Sequence, residues 1–207
     1  MPDEVVCLGD YFDSFTGTVA DTLQTARWVA SRIHVPGWHF LMGNHEAQYR
    51  WPKSPWHITK AYTADKQKAI SSVIDDNAWR RMLFAVQRGD WWITHAGLHP
   101  AIFVHPVLGF DPDRVWDTLH RAEFEAHAGI YTSITDEQRS PDGTPSGPLW
   151  LRWHEFVPIE GVNQVVGHTP HDSPVKLDGS ENWDIDTGLN HYAILEDGRL
   201  TVHPVSV

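Results

Sequence analysis

A chain of 207 residues, 41% apolar and 21% charged, is long enough for one α/β domain with a sizeable core and too short for two ordinary ones, so residues 1–207 are expected to form a single domain. One cysteine, Cys7, excludes a disulfide framework and cysteine-built zinc or iron–sulfur sites. A net charge of −11 argues against a polyanion-binding surface, so no nucleic-acid polymer is expected as partner. No run approaches 18 apolar residues and the first ten residues lack a basic signal region, so neither a membrane span nor export is expected, and the expected location is the cytoplasm.

Val5-Val6-Cys7-Leu8, stopped by Gly9, reads as a first strand. From Thr18 to Ile33 apolar residues fall largely at helical spacing, with Thr18 or Asp21 as cap, and Pro36-Gly37 breaks the chain. Trp38 to Met42 reads as a buried strand ending at Gly43, which makes a βαβ unit. Residues 51–69 begin irregularly and read as a surface excursion; Ile70 to Val86 reads as a helix. Asp90 to Thr94 is a strand, Asp113 to His127 a helix capped by Asp113, and 139–148, with three prolines and two glycines, a loop. Val162 to Val166 is a buried strand, and Tyr192–Leu195 and Leu200–His203 flank an Asp197-Gly198 hairpin turn.

Four polar clusters each follow an expected strand: Gly9-Asp10-Tyr11-Phe12-Asp13, Gly43-Asn44-His45-Glu46, Thr94-His95-Ala96-Gly97 and Gly167-His168-Thr169-Pro170. Carboxyl ends of strands in α/β sheets are where ligands bind. Asp10, Asn44, His95 and His168 together offer oxygen and imidazole donors, the mixture that suits a divalent transition metal.

With the late Asp186-Thr187-Gly188 and with Leu149-Trp150-Leu151-Arg152, these motifs resemble the calcineurin-like metallophosphoesterases, most of all the phosphoprotein phosphatase branch with the bacterial diadenosine tetraphosphatases. The resemblance implies an α/β sandwich of two sheets flanked by helices. It implies hydrolysis of phosphomonoesters or phosphodiesters by hydroxide bound to a divalent metal (Mn, Fe or Zn, with Mn favoured). The implied substrate is a small phosphoester or a phosphoprotein. On the same footing Asp10 bridges two metals, Asn44, His95 and His168 complete the shell of the second, His45 serves the leaving oxygen, Asp13 orients His45, and Arg152 holds phosphate. Asp186 is expected to support rather than ligate.

The sequence departs from the family pattern in three places. No Asp-x-His motif occurs in it, so the family's first strand, which carries two ligands of the first metal, is expected to be lacking. Three accounts stay open: an internal start, a natural short form working with one metal, or a non-catalytic relative that acts as a binding or scaffold module. The short form would leave a sheet edge that dimerisation could cover. Ser14 stands where the family usually has a phosphate-contacting arginine, leaving Arg152 as first phosphate clamp and Arg50 as second. Pro170 matches the phosphatase branch, with His171 next to it as a substitute ligand.

Other residues have two readings. Trp51 and Trp56 either anchor a loop or stack on a base or aryl group, and His99 and His154 either line the site or pack beside it. Cys7 reads as a small apolar residue in a buried strand rather than a nucleophile.

Overall fold

The computed structural model describes residues 2–52, 58–130, 132, 134–135 and 145–206. Strand β1 (Val5–Cys7) leads through helix α1 (Val19–Arg32) to β2 (Trp38–Leu41), which lies parallel to β1 with Val5 opposite Trp38 and Cys7 opposite Phe40. The helix begins where a capping box forms: the Thr18 hydroxyl accepts the Asp21 N–H and the Asp21 carboxylate accepts the Thr18 N–H at 2.8 Å. Its buried face, Thr22, Ala26 and Val29, packs with Ile33 and Phe40.

The single helix expected over 70–86 is not formed. Instead α2 (Asn44–Arg50) is followed by α3 (Ala64–Ser71), one turn of α4 (Asp76–Trp79), and strands β3 (Met82–Leu83) and β4 (Ala85–Arg88). The Asp75 carboxylate accepts the Ala78 N–H at 2.7 Å and so starts a new helix where a continuous one would need Asp75 inside it. Met82 and Leu83 then gain a strand partner in Phe40 and Leu41. The apolar spacing of Ile70, Ile74 and Ala78 is real, since all three are buried, but it is distributed over two helices and the turn between them.

Strand β5 (Trp91–Thr94), helix α5 (Pro100–Phe103), the short hairpin β6 (Val104–His105) and β7 (Gly109–Phe110), and α6 (Pro112–His127) follow. The cap of α6 is Asp111, which accepts from the Asp113 N–H at 3.1 Å, not Asp113 as expected: Pro112 has a φ suited to the first turn and shifts the start by one residue. After a 3₁₀ turn (Trp153–Glu155) come β8 (Asn163–Val166), β9 (Val175–Lys176), β10 (Trp183–Asp184) and the hairpin β11 (His191–Glu196) and β12 (Arg199–Pro204).

The strands form a parallel sheet β1-β2-β3 and a mixed sheet β4-β5-β8-β10-β9. The two face each other through Leu41, Val86, Trp91, Ile93 and Val165, with Val6, Leu8, Leu195 and Leu200 at the margin. Their outer faces carry the helices, where Phe40 and Trp92 join Ala26, Val29, Val115 and Leu119 in the main core. Trp91 and Trp92 are thus both buried for one reason: period-2 alternation sends one into the sandwich and the other under the helices. This is an α/β sandwich of two sheets with flanking helices. Among the described residues β1 pairs with β2 alone, and no helix is long and apolar enough to cross a membrane.

Candidate metal centre

The ends of β1, β2, β5 and β8 converge, and each delivers one side chain. His95 follows β5 directly, and its Nδ1 donates to the Leu8 carbonyl at 2.7 Å. That bond fixes the tautomer and leaves Nε2 as a lone pair. Nε2 lies 3.1 Å from Asn44 Oδ1, 3.2 Å from His168 Nδ1 and 3.5 Å from Asp10 Oδ1, and His168 Nδ1 lies 3.1 Å from Asn44 Oδ1. One ligand atom each from Asp10, His95 and His168 falls within 4.8 Å of the others.

The chemistry of this donor set fits a divalent cation. With the Asn44 carbonyl pointing inward, a carboxylate, an amide oxygen and imidazole lone pairs surround one point. With the amide reversed, its two hydrogens would face His95 Nε2, His168 Nδ1 and both Asp10 oxygens at 3.1–3.2 Å, two hydrogens for four acceptor-capable atoms. Ligands about 2.1 Å from a shared ion lie about 3–4 Å from one another, the spacing seen here. Burial and the neighbouring His95 hold the His168 ring down to about 3, so it is neutral and able to ligate at neutral pH. Burial alone would push the Asp10 carboxyl up; the rings of His95, His45 and His168 and the His45 N–H outweigh it and keep the carboxyl below its usual range.

The backbone is bent to make this possible. Asp10 and His168 sit at φ 59° and 74°, a region that non-glycine residues rarely occupy and that clusters at functional sites. Gly9 and Gly43 allow the close approach: a Cβ on Gly9 would come 2.7 Å from His95 Nδ1, and one on Gly43 would come 2.6 Å from the Asp10 nitrogen.

Glu46 is the residue that motif reading passed over, although it stands in the Gly43-Asn44-His45-Glu46 cluster. It is fully buried, and its carboxylate accepts N–H groups from Asp10 at 2.6 Å, Tyr11 at 2.8 Å, Phe12 at 3.3 Å and Gly43 at 3.1 Å. It bolts the loop after β1 to the start of α2. Burial and the Asp10 carboxylate push the Glu46 carboxyl up to about 8, while the backbone N–H donors pull it down. The signal available in the sequence was its place three residues into the helix, where Glu reaches back to the cap.

The structure puts the other sequence candidates as follows. The His45 N–H donates to Asp10 Oδ1 at 3.1 Å, and the His45 ring is buried beside the exposed Phe15 ring, 5.5 Å centroid to centroid. His45 Nδ1 has no hydrogen-bond partner, and Asp13 Oδ2 lies 3.9 Å from it. The Asp13 carboxylate instead accepts from Tyr49 Oη at 2.8 Å, Gln48 Nε2 at 3.0 Å and Lys66 Nζ. Arg152 is exposed; the Trp153 N–H donates to Thr169 Oγ1 at 2.9 Å, which ties its segment to the His168 loop, and its charge acts on the His168 ring. His154 is exposed on the 3₁₀ turn. His99 caps α5, its Nδ1 accepting from the Ala101 N–H, and His171 Nε2 faces Asp184 Oδ2 at 3.4 Å. Arg50 points to Asp76 and His127. Asp186 Oδ1 accepts the Gly188 N–H and shapes the turn. Trp51 is buried and stacked on Phe84. Trp56 and residues 139–144 lie outside the described residues.

A family model described as calcineurin-like phosphoesterase matches residues 1–184. No curated protein matches the sequence. Among solved structures, a cold-active protein-tyrosine phosphatase of a psychrophilic Shewanella is 17% identical, with 97% of this chain and 69% of that chain covered and a TM-score of 0.58. A single-site mutant of a cold-active protein tyrosine phosphatase gives 16% identity, the same coverage and the same TM-score. A further structure of a cold-active protein tyrosine phosphatase covers 96% of this chain and 64% of that one at 16% identity and TM-score 0.58. At these identities the likeness is one of fold.

Proposed function

The chain belongs to the calcineurin-like phosphoesterase family, and from that premise we propose that it is a metal-dependent hydrolase of phosphate esters that works with manganese. The observation that supports the reading best is the convergence of Asp10, Asn44, His95 and His168 at the strand ends. A divalent cation held there would supply a Lewis acid for the phosphoryl oxygens and an activated water for attack on phosphorus.

The chain's own residues do the rest. Arg152 presents a guanidinium, the group suited to gripping two phosphoryl oxygens at once. His45, seated at the first turn of α2 beside Asp10, hands a proton from Nε2 to the departing oxygen. Leu8 keeps the His95 proton on Nδ1, turned away from the cluster. Glu46 holds Asp10 and Asn44 at their separation. Aryl phosphates are the first substrates to try, because their leaving groups demand least of the proton donor and because the fold neighbours are protein tyrosine phosphatases. A phosphoprotein or small phosphoester acted on in the cytoplasm belongs to the same proposal, as does a homodimer covering the free side of β1.

A second reading, a non-catalytic metal-binding relative, rests on the finding that Asp10, His95 and His168 form the one group of three or more His, Cys, Asp or Glu ligands among the described residues. Chromogenic phosphomonoester and diester assays with and without added manganese separate the two. Manganese-dependent turnover that is lost in Asn44→Ala supports hydrolysis; manganese binding without turnover of either class supports the second reading.

A further inference from the structure

Phe15 is 73% exposed, yet its ring lies 5.5 Å from the buried His45 ring and at 89° to it. His45 in turn adjoins the metal cluster. Its N–H donates to Asp10 Oδ1, and its charge acts on both the Asp10 carboxylate and the His168 ring. An exposed apolar side chain is ordinary by itself. What singles out Phe15 is its place beside the cluster and the way it is held.

Two anchors flank it. On one side Asp13 is buried and accepts from Gln48, Tyr49 and Lys66. On the other the Thr18–Asp21 capping box opens α1. Between them the Gly17 N–H donates to the Ser14 carbonyl at 3.3 Å, closing a tight bend with Phe15 at its corner, and Lys66 Nζ donates to the same carbonyl at 3.2 Å. The ring is thus presented to solvent by a bend fixed at both ends, so little ordering remains to be done when a ligand meets it.

The His168 side of the cluster carries the cation. Trp150 stands edge-on to His168 at 5.9 Å, and Arg152, two residues further along, places its charge near that ring. With phosphoryl oxygens at the cluster and Arg152 and the departing oxygen at His45, the first atoms of the leaving group fall next to Phe15. An aryl ring starts one bond beyond that oxygen. A base carried on a sugar starts several bonds further out.

We propose that Phe15 is a specificity-determining residue that packs on the ring of an aryl phosphate, and so selects a phenolic leaving group over an alkyl one. The inference rests on the reading of the metal centre and His45 given above.

The test is calorimetric titration of the manganese-loaded chain with benzylphosphonate and with ethylphosphonate. Both carry a methylene in place of the departing oxygen and the same phosphonate head, so the contributions of the metal and Arg152 cancel in the ratio of their dissociation constants. Benzylphosphonate should bind about three- to tenfold tighter, the range of an aromatic pair. Phe15→Ala should bring the ratio close to unity and Phe15→Trp should keep or raise it. Phe124→Ala, which removes an equally exposed phenylalanine from α6, should leave it unchanged. A ratio near unity in the wild-type chain, or one that persists in Phe15→Ala, overturns the inference and leaves the metal centre standing, because both anions still bind. If neither anion binds, the reading of the metal centre falls and this inference falls with it.

Discussion

Lys66 donates from Nζ to Asp13 Oδ1 while neither side chain is more than 7% exposed. The same ammonium donates to the carbonyls of Ser14 and Ala61, each at 3.2 Å, so all three of its hydrogens are used. Asp13 is thereby anchored by α3 and by Gln48 and Tyr49 of α2. Removing one partner of a buried pair leaves an uncompensated charge, at a cost of about 3–5 kcal/mol. Lys66→Met is expected to destabilise by that amount in a urea melt, and Asp13→Asn added to it should recover part of the loss. Strict additivity of the two changes would show that the pair is not coupled.

His45 lies beside the cluster, and its backbone N–H rather than its ring meets Asp10. His45→Ala should therefore lower turnover of an aryl phosphate by about 10²–10⁴-fold while manganese content stays at the wild-type level. Loss of metal in that variant would make His45 a ligand instead.

The parts of the fold that were legible in the sequence are those written locally. Val5–Cys7, α1 with its Thr18 cap, β5, β8 and the Asp197-Gly198 hairpin carry their own periodicity and turn chemistry. The region from Ile70 to Val86 was not legible, because the Asp75 carboxylate caps a second helix inside what the apolar spacing reads as one. Strands β9, β10 and the β6–β7 hairpin are two residues each and too short to show a period. In the site, Asp10, Asn44, His95 and His168 could be picked out from their strand-end motifs. Glu46 showed only its place at the third position of a helix, and Lys66 showed nothing, because the bonds that matter most, to the loop after β1, join residues 34 to 53 positions apart.

Asp184 is the second buried acid off the metal cluster. Its Oδ1 accepts the Asp186 N–H at 3.0 Å, while its Oδ2 faces His171 without a hydrogen bond. Burial pushes its carboxyl from 3.8 up to about 8, with Asp186 adding to the shift. Between those two values the folded chain binds a proton that the unfolded chain has lost, so this group's contribution to stability falls as pH rises from about 4 to 8. Asp184→Asn keeps the shape of the neutral acid and removes the titration. Its melting temperature relative to wild type should climb across that window by several degrees, at about 2–4 °C per kcal/mol for a chain of this size. A difference that stays flat from pH 5 to pH 8 would sink the argument.

The number of tightly held metal ions follows from which histidines are already engaged. His99 Nδ1 is spent as the cap of α5, and His171 faces Asp184 across 3.4 Å. Neither is directed at Asp10, so on the side of Asp10 away from His95 the described residues offer no second group of three ligands. A carboxylate with waters alone holds a divalent ion loosely. The Asp10–Asn44–His95–His168 set, with His95 oriented by Leu8 and Asp10 by Glu46, should hold one far more tightly. Elemental analysis after dialysis against manganese should therefore find about one equivalent per chain. Asn44→Ala, which removes one ligand of the set, should weaken that site by at least about tenfold, and Glu46→Gln, which frees the loop carrying Asp10, should weaken it too and lower stability by about 3 kcal/mol. Two equivalents retained by the wild-type chain would mean that a second set of ligands exists, and Arg152→Gln, which removes no ligand, should leave the count unchanged.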